Sequence, residues 1–176
     1  MKKFLLLFSF SFFTNSYAIE LNKEIKNVCI NGKNGGTISE TNWNSKCLND
    51  IKKKKVLFYI DPDEKDKNEY FSELLKYKKT LQTDDILSFA IVNTKATWKP
   101  TMIIKKVLQS KQKKYPHTTY ILDNTKYLVK EWGLPDDEAV CLIINEDGKT
   151  VFYKAGIMNE ADIKLFFEIL DQDYLG

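Results

Sequence analysis

VLFYIDPDEKDKNEYF, residues 56–71, decides how this chain folds. Val56 to Ile60 is an unbroken apolar run, as expected of a buried strand. Asp61-Pro62-Asp63 ends the run and opens a polar corner. The acidic residues there suit the positive end of a helix dipole. Phe71, Leu74, Leu75 and Lys78 or Leu81 then keep helical spacing, so the reading is strand, corner and a helix with one buried face. In an α/β protein such a corner is where ligands and reacting groups gather. Here it carries Asp61, Asp63, Glu64, Lys65, Asp66 and Lys67, and residues 61–70 contain no cysteine.

The pattern repeats downstream. ILSFAIVN (86–93) is a second apolar strand, HTTYILD (117–123) a third and AVCLIIN (139–145) a fourth. The loop TKATWKP closes at Pro100. Thr101 stands at the cap of a helix whose apolar positions, Ile103, Ile104, Val107 and Leu108, are expected to be buried. Tyr115-Pro116 ends that helix, because proline disfavours helical geometry in the residue before it. Asn124 and Thr125 open a short helix with Tyr127, Leu128 and Trp132, stopped by Gly133. EDGK turns the fourth strand back into TVFYKAG as a hairpin. Asn159 caps a final helix, Glu160 to Leu170, with Ile163, Phe166, Phe167 and Leu170 facing inward. Upstream, NGKNGGT lies between short extended segments, and Lys52 to Lys55 read as a solvated entry to the first strand. The order predicts a three-layer α/β/α sandwich, with an N-terminal β-hairpin extension over 19–55 and a C-terminal hairpin plus helix.

The chain has 176 residues, 43% of them hydrophobic and 29% charged, which suits one globular domain. Every basic residue is lysine, so the planar fork that grips phosphate or carboxylate is missing. Residues 1–18, MKKFLLLFSFSFFTNSYA, place two lysines before a ten-residue apolar region, Phe4 to Phe13, with Ser16 and Ala18 in small-x-small spacing. This is expected to be a secretory signal cleaved after Ala18, leaving one domain over 19–176. A region of ten residues falls short of the ~20 that span a bilayer, and no later stretch is long enough. Loss of Lys2 and Lys3 takes the formal charge from +3 to +1, which argues against capture of nucleic acid. Export would allow Cys29 and Cys47, 18 positions apart, to form a disulfide worth about 3 kcal/mol. Cys141, inside AVCLII, reads as a small buried hydrophobe.

The element order and the run WGLPDDEAVCLIINEDGKTVFYKAG resemble the thioredoxin-like superfamily. IVNTKATW, KKVLQSKQKKYPHTTYILDNTKYLVKEWGL and DDEAVCLIINEDGKTVFYKAGIMNEADI narrow that resemblance to the YtfJ family of periplasmic thioredoxin-fold proteins, over roughly residues 86–170. The resemblance implies a thioredoxin-like fold, export to the periplasm and no defined activity. A thiol-disulfide oxidoreductase of this superfamily needs C-x-x-C at the first corner, where the helix terminus lowers the attacking thiol's pKa. A peroxidase needs one thiolate at a similar corner. Neither requirement is met by residues 61–70. The proline that precedes the strand facing the redox site is displaced too: Asp136, Asp137 and Glu138 precede Ala139, and Pro135 reads as a turn residue.

The remaining candidates read as ordinary surface. His117, the one histidine, stands at a strand edge. Asp61, Asp63, Glu64 and Asp66 lack the spacing and glycine of a calcium loop, so no metal site and no cofactor are expected. No phosphate-cradling or nucleophile-elbow motif occurs. Trp98, in the loop TKATWKP, is a candidate anchor for a partner, expected to be a periplasmic protein or peptide. The reading is an exported, non-catalytic binding or accessory domain. The alternative is a thiol-disulfide oxidoreductase or thiol peroxidase working through Cys29 and Cys47.

Overall fold

The computed structural model describes residues 19–26, 28–38, 43–44, 52–64 and 86–171. Eight strands lie among them: β1 (Cys29–Ile30), β2 (Gly35–Thr37), β3 (Trp43–Asn44), β4 (Lys54–Ile60), β5 (Ile86–Asn93), β6 (Thr118–Asp123), β7 (Val140–Ile144) and β8 (Thr150–Ala155). Three α-helices accompany them: α1 (Thr101–Lys114), α2 (Tyr127–Trp132) and α3 (Glu160–Asp171). The helix expected after the 61–64 corner lies outside the described residues.

Six strands form one mixed sheet in the order β2-β6-β5-β4-β7-β8. β4, β5 and β6 are parallel, with Tyr59 beside Ile91 and Ile91 beside Ile121. β7 runs antiparallel to β4, and β8 antiparallel to β7. Alternate residues of each strand point to opposite faces, and both faces are covered. On one, Leu57, Tyr59, Ile91, Ile121 and Leu142 pack against α2 and the N-terminal Ile25, Val28 and Ile30. On the other, Val56, Cys141 and Ile143 pack under α3, while Ala90, Val92, Tyr120 and Leu122 pack under α1. The expected three-layer sandwich is thus present, with a thioredoxin-like strand order.

Three details depart from the sequence reading. The N-terminal segment is more than an appended hairpin. β1 pairs with β3, but β2 joins the main sheet antiparallel to β6. Gly35 permits this: at φ 126° it brings backbone so close that an added Cβ would sit 1.9 Å from the Leu122 carbonyl oxygen. The lysine run is only partly solvated. Lys54 and Lys55 belong to β4 and are buried; their stems line the strand while their amines reach Ile169 O at 2.6 Å and Asn145 O at 3.3 Å. Burial pushes the Lys55 amine below its ordinary pKa. Finally, α1 buries Ile104 and Leu108 but leaves Ile103 and Val107 exposed, and it is preceded by Pro100 without a side-chain cap.

Candidate functional site

The carboxyl ends of the three parallel strands bring together Asp61, Asn93 and Asp123. Asp61 follows β4 directly and is buried. Its Oδ1 accepts the Asp63 amide at 2.8 Å, an Asx turn that bends the chain out of the sheet. Burial raises the Asp61 pKa; the Asp63 amide opposes this, and nearby Asp63, Glu64 and Asp137 add to it. Asp63 behaves oppositely. Its Oδ1 accepts from Lys99 Nζ at 2.8 Å and Thr97 Oγ1 at 2.7 Å, and these bonds, Lys99 first, hold its pKa below the usual value. The loop after β5, which carries Trp98, is thereby tied to the corner. Trp98 itself projects outward, 85% exposed.

Asp123 ends β6 and is fully buried. Oδ1 accepts the amides of Thr125 and Tyr127 at 3.1 and 2.8 Å; Oδ2 accepts the Leu128 amide and the Tyr59 hydroxyl, each at 3.0 Å. One carboxylate therefore caps α2 and satisfies a buried phenol. Burial, reinforced by Asp123, raises the Tyr59 pKa far above its ordinary value, so this hydroxyl stays a donor. Asn93, also fully buried, donates through Nδ2 to Asp136 Oδ1 at 3.3 Å, and Asp136 pairs with Lys126. Lys126 takes a left-handed backbone, φ 55°, as the chain enters α2. The loop before β7 is thus held to the end of β5.

This network was only half legible. The sequence displays the corner Asp61 to Glu64 directly, whereas the opening of α2 expected at Asn124 and Thr125 is closed instead by the Asp123 carboxylate. An aspartate closing a strand just before a helix is the signal that identifies Asp123. Nothing in the sequence marks Tyr59, Asn93 or Lys126, whose partners Asp123 and Asp136 are brought to them only by the tertiary fold.

The thiols are elsewhere. Cys141 sits mid-strand opposite Phe58, inside the core under α3, and burial pushes its thiol well up. It is the inert hydrophobe expected. Cys29 lies half-buried in β1, beside Asn44, and is unbridged; Cys47, its expected partner, lies outside the described residues. His117 is exposed just before β6. Among the described residues no group of three or more histidine, cysteine or carboxylate side chains is arranged to hold a metal, and no helix is long and apolar enough to cross a membrane. The corner therefore offers buried and ion-paired carboxylates, a protonated phenol and an outward tryptophan. These groups hold loops; acidic neighbours at this place would raise a thiol's pKa rather than lower it.

The sequence profile of the family described as "Bacterial protein of unknown function (YtfJ_HI0045)" matches residues 19–173. The chain is 27% identical to the Escherichia coli protein described as "Uncharacterized protein YtfJ" over 133 residues, 74% of this chain and 71% of that protein. Among solved structures it resembles the pneumococcal exposed lipoprotein thioredoxin of Streptococcus pneumoniae: TM-score 0.59 and 12% identity, over 84% of this chain and 99% of that one. It also resembles a thiol:disulfide interchange protein of Chlorobium tepidum: TM-score 0.57 and 13% identity, over 90% of this chain and all of that one. At these identities the structural likeness is one of fold.

Proposed function

The chain belongs to the YtfJ family of bacterial proteins, and from that premise we propose that it is an exported binding or accessory domain that keeps a thioredoxin-like scaffold without thiol chemistry. The observation that carries this reading is the corner after β4. Asp61, at 5% exposure, and Asp63, ion-paired to Lys99, occupy the strand end where a redox thioredoxin needs an activated thiolate. The thiol buried in β7 belongs to the packing of the core. Export rests on the lysines, apolar run and small-residue spacing of residues 1–18, with processing after Ala18. In an oxidising compartment Cys29 and Cys47 serve at most as a structural link between N-terminal segments. The exposed loop carrying Trp98 is the contact surface.

The decisive experiment is made on protein recovered from the periplasmic fraction. Its N-terminus is sequenced, its cysteines are alkylated before and after reduction, and it is assayed for insulin reduction and peroxide consumption. An N-terminus at residue 19, with no turnover in either assay, is expected. Turnover that disappears in Cys29→Ser or Cys47→Ser would establish the oxidoreductase reading instead.

A further inference from the structure

We infer that the outer flank of α1, with the loop that leads into it, docks peripherally on an anionic lipid surface. This deepens the binding reading above, and rests on it, by naming what Trp98 meets. Trp98 is 85% exposed, Met102 72%, Ile103 53% and Val107 51%. Met102, Ile103 and Val107 fall on one side of the helix at helical spacing, and Trp98 stands one turn ahead of Met102. Ile104 and Leu108, on the adjoining flank that meets the sheet, already anchor α1, so the outer apolar residues lie outside the core. Large exposed apolar residues concentrated in one short segment mark an interaction surface.

Charge selects the occupant. Lys99, in the loop before α1, is taken up by Asp63, but α1 itself carries five lysines and no aspartate or glutamate. Near the exposed apolar residues, Lys106 follows Ile103 by three positions, and Lys113 follows Lys106 by two turns on the same flank. A helix with large apolar residues and lysines on one outer flank matches the composition of helices that lie in the membrane interface. Protein interfaces, by contrast, are depleted in lysine. The flank is also a convex helix side. A fluid lipid surface accepts such a shape, whereas a protein partner would need a matching groove. Lysine stems can lie along the apolar residues and lift their amines to the headgroups.

The test uses the protein as processed by an exporting cell. It is sedimented with vesicles of phosphatidylcholine alone and of phosphatidylcholine mixed with phosphatidylglycerol, at low and high salt. Binding to the anionic vesicles at low salt is expected, weakened by salt and by omission of phosphatidylglycerol. Lys106→Glu with Lys113→Glu should weaken it by about tenfold or more, because each basic residue near an anionic surface contributes several-fold. Ile103→Ser with Trp98→Ala should weaken it comparably, with the thermal midpoint unchanged because both sites are outside the core. Equal binding to both vesicle types, no binding to either, or binding indifferent to both variant pairs would overturn the inference. So would a photo-crosslink from position 98 that captures an acidic protein while vesicles stay unbound. Failure here leaves the thiol assays unmoved, and redox turnover would leave vesicle binding unmoved, so the two readings fail separately.

Discussion

α1 and α3 lie on the same face of the sheet and both alternate apolar and charged residues, yet they use their apolar residues differently. α3 turns Phe166 and Leu170 into the sheet, with Ile163 and Phe167 packed partly behind them. Phe166 meets Phe152 edge-on, ring centroids 5.5 Å apart. Its start is closed by a reciprocal pair of bonds: Asn159 Oδ1 accepts the Asp162 amide and Asp162 Oδ2 accepts the Asn159 amide, each at 2.9 Å. Its end, which has no basic residue of its own, receives Lys54 from β4 on the Ile169 carbonyl. α1 has no side-chain cap at its start, buries Ile104 and Leu108, and leaves Met102, Ile103 and Val107 exposed. The difference separates a helix whose apolar residues hold the fold from one that holds some of them in reserve.

That contrast can be broken most severely at Phe166. Phe166→Ala should cost about 3–5 kcal/mol in urea unfolding, since it empties the packing between α3 and β8. Ile104→Ala, the equivalent truncation under α1, should cost about 2–4 kcal/mol. A loss as large as that of Phe166→Ala would show that α1 is anchored as firmly as α3. Asn159→Ala should cost about 1 kcal/mol through loss of the cap, and no substitution at Pro100 or Thr101 should reproduce that mechanism, because α1 has no side-chain cap to lose.

The cap also gives α3 a pH dependence. The Asp162 carboxyl is held below its ordinary pKa, first by Lys154 and then by the Asn159 amide. A carboxylate with a depressed folded pKa contributes stability that is complete above its unfolded pKa and is lost as pH falls through the folded value. The acid side of the thermal stability profile should therefore be shallower in Asp162→Asn than in the parent, with the gap between the two closing as pH falls below the usual carboxylate range. A parallel profile in both proteins would remove the cap from the account. The smallest expected effect is Ile103→Ser: unfolding free energy should change by no more than about 0.5 kcal/mol. A loss of 2 kcal/mol or more, on the scale of a buried isoleucine, would mean that the outer flank is already covered.

The alternation of apolar runs with helical spacing made β4 to β8, α1, α2 and α3 readable, because each pattern follows from local geometry. The cap at Asn159, the stop at Gly133 (φ 65°) and the hairpin turn before β8 were readable for the same reason. The corner without a thiol was legible as well, since an absent residue type needs no structure to be noticed. The network behind that corner was not, because Tyr59 and Asp123 are 64 positions apart and meet at 3.0 Å only through parallel strand pairing. Lys54 and Lys55 are buried against the sequence expectation for a related reason. A lysine is assigned to solvent by its charge, but a long stem can be buried when a carbonyl lies within reach of its amine.

By itself the sequence determined the strands β4 to β8 and the helices α1 to α3, the family, and the absence of cysteine at the central corner. The tertiary structure decided which apolar residues of α1 face the sheet, where β2 inserts, and which carboxylates become buried. Periodicity specifies that a helix has an apolar side, but the width of that side that loses water depends on the surface it meets, and that surface is assembled from strands distant in the chain.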